Sequence, residues 1–192
     1  MYKSCRACFM FYCMFYFTCD RSLRSLVVSI IVALCSIEVQ AYSGHSTEPN
    51  YGFVKLNGVA VWQASWGGSS PSIRGVSTVL IDPFSCSMQD SQIYDTHASA
   101  DEATELATYL EMLEHGSVIA VVTGDEPRNN LANALPTLQQ IRADVSDVQN
   151  GGAFGFIAQK GFPDKTVLRK TLTREESHTE QPRSEVLITG RL

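Results

Sequence analysis

The run Val118-Ile119-Ala120-Val121-Val122 is unbroken, apolar and rich in β-branched residues, a composition that suits a strand covered on both faces rather than one half exposed to water. It starts just after Gly116, a helix stop, and leads into Gly124-Asp125-Glu126-Pro127, where a turn must carry the chain from core to surface. A chain holding such a strand must cover it with other elements on two sides. With 192 residues and 44% apolar content it has the material to do so.

The flanking sequence supplies the covering elements. Phe53, Val54 and Leu56 run into Asn57-Gly58, a pair suited to the positive dihedrals of a tight turn, and Val59, Ala60 and Val61 return, so Tyr51 to Trp62 reads as a hairpin. Ser65 to Ser72 is a Gly- and Ser-rich loop; Gly75 to Asp82 is an apolar strand, turned at Pro83-Phe84-Ser85-Cys86 into a weaker strand from Ser87 to Tyr94. Ser99-Ala100-Asp101-Glu102 is a capping box opening a helix whose buried face is Ala103, Leu106, Ala107, Leu110 and Leu113. A second helix is expected from Asn133 as its cap, through Leu135, Leu138, Ile141 and Val145. Strands are expected at Ala153 to Gln159, closed by Lys160-Gly161, and at Thr166 to Leu172. The order points to an α+β class: one layered domain of mostly antiparallel β-sheet packed with two main helices.

At the N-terminus, Arg21 and Arg24 precede the apolar run Leu26 to Leu34, and Val39-Gln40-Ala41 carries small residues at minus three and minus one of a cleavage site before Tyr42. The run is short of the ~20 apolar residues that span a bilayer. Residues 1–41 therefore read as a signal peptide starting at Met1 or Met14, 42–50 as a lead-in, 51–172 as the domain and 173–192 as a loose polar tail. The product is expected to be secreted, with no membrane attachment once the leader is removed. Of six cysteines only Cys86 lies beyond residue 41, so no internal disulfide is expected; Cys86 is either buried or linked to a second chain as a dimer. Taking four basic and two acidic leader residues from 15 and 20 leaves 11 and 18, net −7, which disfavours nucleic acid and anionic membranes as partners.

Gly-Val-x-x-Val-x-x-Asp-Pro at Gly75 to Pro83, Tyr94-Asp95-Thr96-His97 before the capped helix, and Asp125-Glu126 at the strand exit occur in the order that resembles the ILEI/PANDER domain family. That family includes the interleukin-like inducer of epithelial-mesenchymal transition and the pancreatic-derived factor. Similar modules lie in the stem of the glycosyltransferase that adds N-acetylglucosamine to O-linked mannose and in hyaluronan-related cell-surface proteins. The resemblance runs from about Tyr51 to Gly161. It implies an extracellular, cytokine-like or carbohydrate-binding domain and matches Asp125 and Lys160-Gly161 to family positions. Where the family has aromatic-Arg-Asp-x-Trp-Ala-Phe, this chain has Val148-Gln149-Asn150-Gly151-Gly152-Ala153-Phe154, with Gln149 in place of the Arg.

Candidate carbohydrate-binding residues follow. Asp125 and Glu126 offer strong acceptors to sugar hydroxyls from a turn on a rigid base, Gln149 and Asn150 add amide groups, and Trp62 and Trp66 either stack on a sugar face or pack in their own domain. Any ligand site is expected where the loop from Gly124 to Asn129 meets the loop from Gln149 to Gly152. The partner is a glycan or a cell-surface receptor. His97 and His115 lack metal-ligand spacing, so neither metal nor cofactor is expected. There is no G-x-S-x-G, phosphate loop or dinucleotide fingerprint, and the domain is read as non-catalytic. The alternative is a carboxylate-based glycan-active enzyme, which requires two of Asp82, Asp95 and Asp125 to gather about 5 to 10 Å apart.

Overall fold

The computed structural model describes residues 35–43, 51–65, 74–171 and 184–191. Nine strands and two helices build the domain: β1 Ser36–Ser43, β2 Tyr51–Leu56, β3 Val59–Ser65, β4 Gly75–Asp82, β5 Ser87–Tyr94, α1 Ala100–Met112, β6 Val118–Gly124, a 3₁₀ turn Leu131–Ala134, α2 Leu135–Gln140, β7 Ala153–Gln159, β8 Phe162–Thr171 and β9 Ser184–Arg191. The strands form two antiparallel runs, β5-β4-β6-β7-β8 and β3-β2-β1-β9. They join where Tyr42 of β1 pairs in parallel with Gly124 of β6. The domain is thus α+β and layered, as its sequence pattern implies.

β6 is the organising strand, and all seven of its residues are buried. Val118, Ala120 and Val122 face β1 and β2 in one core with Ile37, Val39, Val54 and Trp62. Ile119 and Val121 face the helices in a second core with Leu106, Leu110, Leu138, Phe154 and Phe156. The five residues Val118 to Val122 are all apolar because a strand between two cores has no wet face. Phe154 and Phe156 are fully buried, and each such side chain stabilises by roughly 1.5–3 kcal/mol relative to exposure.

Local chemistry sets the boundaries. Asn57 and Gly58 both adopt positive φ, 50° and 80°, which lets Leu56 pair directly with Val59 across the two-residue turn. Ser99 caps α1 by accepting from the amide of Asp101 at 3.1 Å, but Glu102 turns back to the amide of Asp95 rather than closing the box on Ser99. At the other end of α1, Lys160 donates to the carbonyls of Leu110 and Glu111 at 2.8 and 3.2 Å, placing a cation on the negative end of the helix. That contact gives the Lys160-Gly161 pair a structural role, since the β7–β8 turn carries the cation to α1.

Four sequence expectations are corrected. The segment Ser36–Ser43 is a core strand rather than leader: Ile37, Val39 and Ala41 are wholly buried and alternate with the less buried Ser36, Glu38 and Gln40. Val39 and Ala41 satisfy the small-residue pattern of a cleavage site and the period-two pattern of a strand equally well, so the sequence pattern admitted both readings. Residues 1–34, the remainder of the expected signal peptide, lie outside the described residues. Cys86 is not a lone thiol: it is bonded to Cys35, 51 residues away, which leaves no Cys86 sulfur to link a dimer. The expected loose tail holds β9, paired with β1 along all eight residues, so the domain extends well beyond 51–172. The second helix is short and preceded by a 3₁₀ turn; Asn133 does not cap it but donates to the carbonyl of Ala100 and the hydroxyl of Thr104 on α1.

Candidate functional site

Five strands bring their ends to one margin of the domain: the starts of β4 and β7 and the ends of β1, β5 and β6. The ladder between β6 and β7 stops at Val122–Gly155. Beyond it the Thr123 hydroxyl accepts from the amide of Phe154 at 2.9 Å and donates to its carbonyl at 2.7 Å, so the side chain replaces the two main-chain bonds lost as the strands part. The opening admits β1 beside Gly124 and frees the loops that follow.

Asp125 and Glu126 occupy the first two positions of the loop after β6, with φ of 26° and 42°. Non-glycine residues adopt such angles only where their surroundings dictate it. Three contacts do so. The amide of Gly75 donates to the carbonyl of Asp125 at 3.3 Å, the hydroxyl of buried Thr96 donates to the carbonyl of Pro127 at 2.8 Å, and the amide of Gly151 donates to the carboxylate of Glu126 at 2.8 Å. The last contact joins the Gly124–Asn129 loop to the Gln149–Gly152 loop. Gly75 is equally constrained: at φ 90°, a Cβ there would sit 2.2 Å from the carbonyl oxygen of Tyr94.

Beside this turn lies an ion pair that sequence reasoning did not single out. The Nε of Arg74 donates to both oxygens of Asp95 at 2.9 Å, and Asp95 also accepts from the amide of Ala98 at 3.0 Å. Burial works to raise the Asp95 pKa, but the Arg74 guanidinium and the Ala98 amide outweigh it and hold the carboxyl below its usual range. The Arg74 pKa is raised, first by its bond to Asp95, with Asp125 adding to its negative surroundings. The only sequence signal for Arg74 is a charged residue immediately before an apolar strand. Nearby, His97 is half-buried; its carbonyl accepts from the side chains of Asn129 and Asn130, and its Nδ1 is enclosed without a partner.

The structure therefore brings together Asp125, Glu126, Gln149 and Asn150, with the last two exposed. Arg74 and Asp95 join them. It does not bring Trp62, whose side chain is buried between the two strand runs and is unavailable to stack on a ligand. Trp66 lies outside the described residues. Asp82 sits at the far end of β4, opposite Ser87 and one residue past the Ile81–Val118 pair, and accepts from the amide of Phe84 and the hydroxyl of Ser85 within its own turn. The three aspartates do not gather at one end. Among the described residues no group of three metal-ligating side chains occurs, and no helix is long and apolar enough to cross a membrane.

The site, the strand that leads to it and β7 with the turn after it fall within residues 74–162, which match the model of the family described as interleukin-like EMT inducer. Residues 74–162 form an ILEI domain. No individual curated protein matches the chain. The matched segment begins at Arg74 itself and ends at Phe162, just past Lys160-Gly161, so both loops of the candidate site lie inside the ILEI domain. Strands β1, β2, β3 and β9, which supply one wall of the first core, lie outside it. The ILEI family is cytokine-like rather than a known enzyme family.

Proposed function

We propose that this protein is secreted and acts outside the cell as a non-catalytic recognition domain, with the loop cluster around Asp125 as its contact surface for a glycan. The observation that carries the reading is the bond from the Gly151 amide to the Glu126 carboxylate, which fixes two loops side by side at the ends of buried strands. Asp125 then offers carboxylate acceptors, Gln149 and Asn150 offer exposed amides, and Arg74 contributes positive charge to a cluster in which Gln149 stands where the family has an arginine. This mixture of fixed acceptors and donors suits sugar hydroxyls. The Cys35–Cys86 disulfide fits an oxidising compartment.

Catalysis by paired carboxylates is the weaker reading. With Asp82 at the opposite end, the remaining pair is Asp95 and Asp125, and Asp95 is held ionised by Arg74. A glycosidase needs a carboxyl whose pKa is raised so that it can donate a proton.

A glycan array probed with the purified protein tests the proposal. Selective binding to a set of related glycans, abolished in an Asp125→Ala variant, is the expected result. If no glycan is retained while the protein still binds intact cell surfaces after glycan removal, a protein receptor replaces the sugar as partner.

A further inference from the structure

On the helix side of the domain, β5 and α1 enclose an open groove of about 520 Å³, bordered by Gln92 and Tyr94 on the strand and by Asp101, Glu105, Tyr109 and Met112 on the helix. Its polarity is one-sided. Asp90 accepts from Gln92 at 3.2 Å and, at 3.4 Å, from the Tyr109 hydroxyl, yet Asp90, Asp101 and Glu105 make no ion pair with a cation among the described residues. Behind Tyr94 and Tyr109, on β4, Thr78 is wholly buried and its hydroxyl has no hydrogen-bond partner in good geometry. Burial first, with Tyr109, Asp90 and Glu105 adding to it, raises the Tyr94 pKa.

β5 is also an edge strand. It pairs with β4 on one side, and no strand is hydrogen-bonded to the other among the described residues. Ser87–Tyr94 contains no lysine or proline, and its one irregularity is a bulge at Gln89, so the regular free edge is the stretch from Asp90 to Tyr94 beside the groove. The helix lip of the groove carries Met112, 77% exposed, an apolar contact for a covering chain.

We infer that this groove docks an extended, basic segment of a partner protein, which lies along the free edge of β5 and directs lysine or arginine side chains toward Asp90, Asp101 and Glu105. Main-chain bonds to the strand edge supply affinity, and the unpaired carboxylates select for positive charge. The groove is separate from the loop cluster around Asp125, and its occupancy does not depend on glycan binding there.

The probe is an eight-residue synthetic peptide of alternating lysine and valine, with a glutamate-valine peptide as control, titrated against the full protein by fluorescence anisotropy. The basic peptide is expected to bind and the acidic one not. Glu105→Gln should weaken binding by about tenfold, the scale of one charge-assisted contact. Thr108→Lys, which places a cation inside the groove from an exposed helix position, should abolish binding, whereas Asp125→Asn should leave it unchanged. Hydrogen exchange should show new protection of β5 amides when the peptide is bound. The inference is overturned if both peptides bind alike, if neither binds up to about 1 mM, if Glu105→Gln and Thr108→Lys have no effect, or if Asp125→Asn weakens binding as much as they do.

Discussion

A chain that begins at Tyr42 should fail to fold, whereas one that begins at Leu34 should fold. Starting at Tyr42 removes Ile37, Val39 and Ala41, all wholly buried. The two larger side chains alone represent roughly 3–6 kcal/mol of burial. It also removes Cys35, and with it a disulfide that closes a 51-residue separation, worth about 4 kcal/mol in the chain-entropy account. Finally it takes away the strand between β2 and β9, leaving both with unpaired edges. Together these losses reach about 7–10 kcal/mol, against a total stability of about 5–15 kcal/mol for a typical domain. Urea unfolding of the two chains, followed by near-ultraviolet circular dichroism, compares them directly. A Tyr42 chain that unfolds cooperatively within about 2 kcal/mol of the longer chain would refute the assignment of β1 to the core.

Other perturbations test separate parts of the structure. Thiol counting on oxidised, denatured protein starting at Leu34 should find no free cysteine, and two thiols per chain would contradict the Cys35–Cys86 bond. Thr123→Val removes two hydrogen bonds to Phe154 in a buried setting and should cost about 2–4 kcal/mol in chemical denaturation, while a loss below about 0.5 kcal/mol would mean the strands re-pair without it. Gly75→Ala meets the Tyr94 carbonyl at 2.2 Å and demands an unfavourable φ, so it should destabilise by more than about 2 kcal/mol; an unchanged denaturation midpoint contradicts that geometry. Asp95 has a folded pKa below its unfolded value, so its stabilising effect is complete above the ordinary carboxylate pKa of about 3.9 and is lost as pH falls through the folded value. The stability difference between the wild type and Arg74→Met should therefore shrink below about pH 4, and a difference that grows with acid would reverse the sign of the linkage.

The sequence carried the parts of the fold in which local chemistry and tertiary environment agree. β4 and β5 lie at the positions that their turn residues and apolar pattern indicate, and α1 follows its Ser99 cap. Asn57-Gly58 has the dihedrals its composition demands. The meeting of the two site loops was also expected, because one leaves β6 and the other enters β7, inner strands that lie side by side. What the sequence hid depended on long-range pairing. Ile37-Glu38-Val39-Gln40-Ala41 is a strand only because β2 and β9 lie beside it, and β9 is itself a strand only because β1 is there. A pattern that fits a leader over β1 gives Cys35 no place in the domain and Cys86 no partner. Arg74 was invisible for a related reason: its pairing with Asp95 spans 21 residues and belongs to no motif. Trp62 could serve a core or a ligand by composition alone, and its position in the alternation of β3 put it in the core.

The most direct test of the account is calorimetric titration of the protein with N-acetylglucosamine-containing glycans, repeated with Asp125→Ala and Gln149→Arg. If the loop cluster is a sugar site, Asp125→Ala loses about 1–3 kcal/mol of binding with little change in fold stability, and Gln149→Arg binds more tightly because it adds a charged donor beside the carboxylate. Measurable binding that neither substitution alters would contradict the placement of the site, and no binding by any of the three proteins would contradict glycan recognition itself.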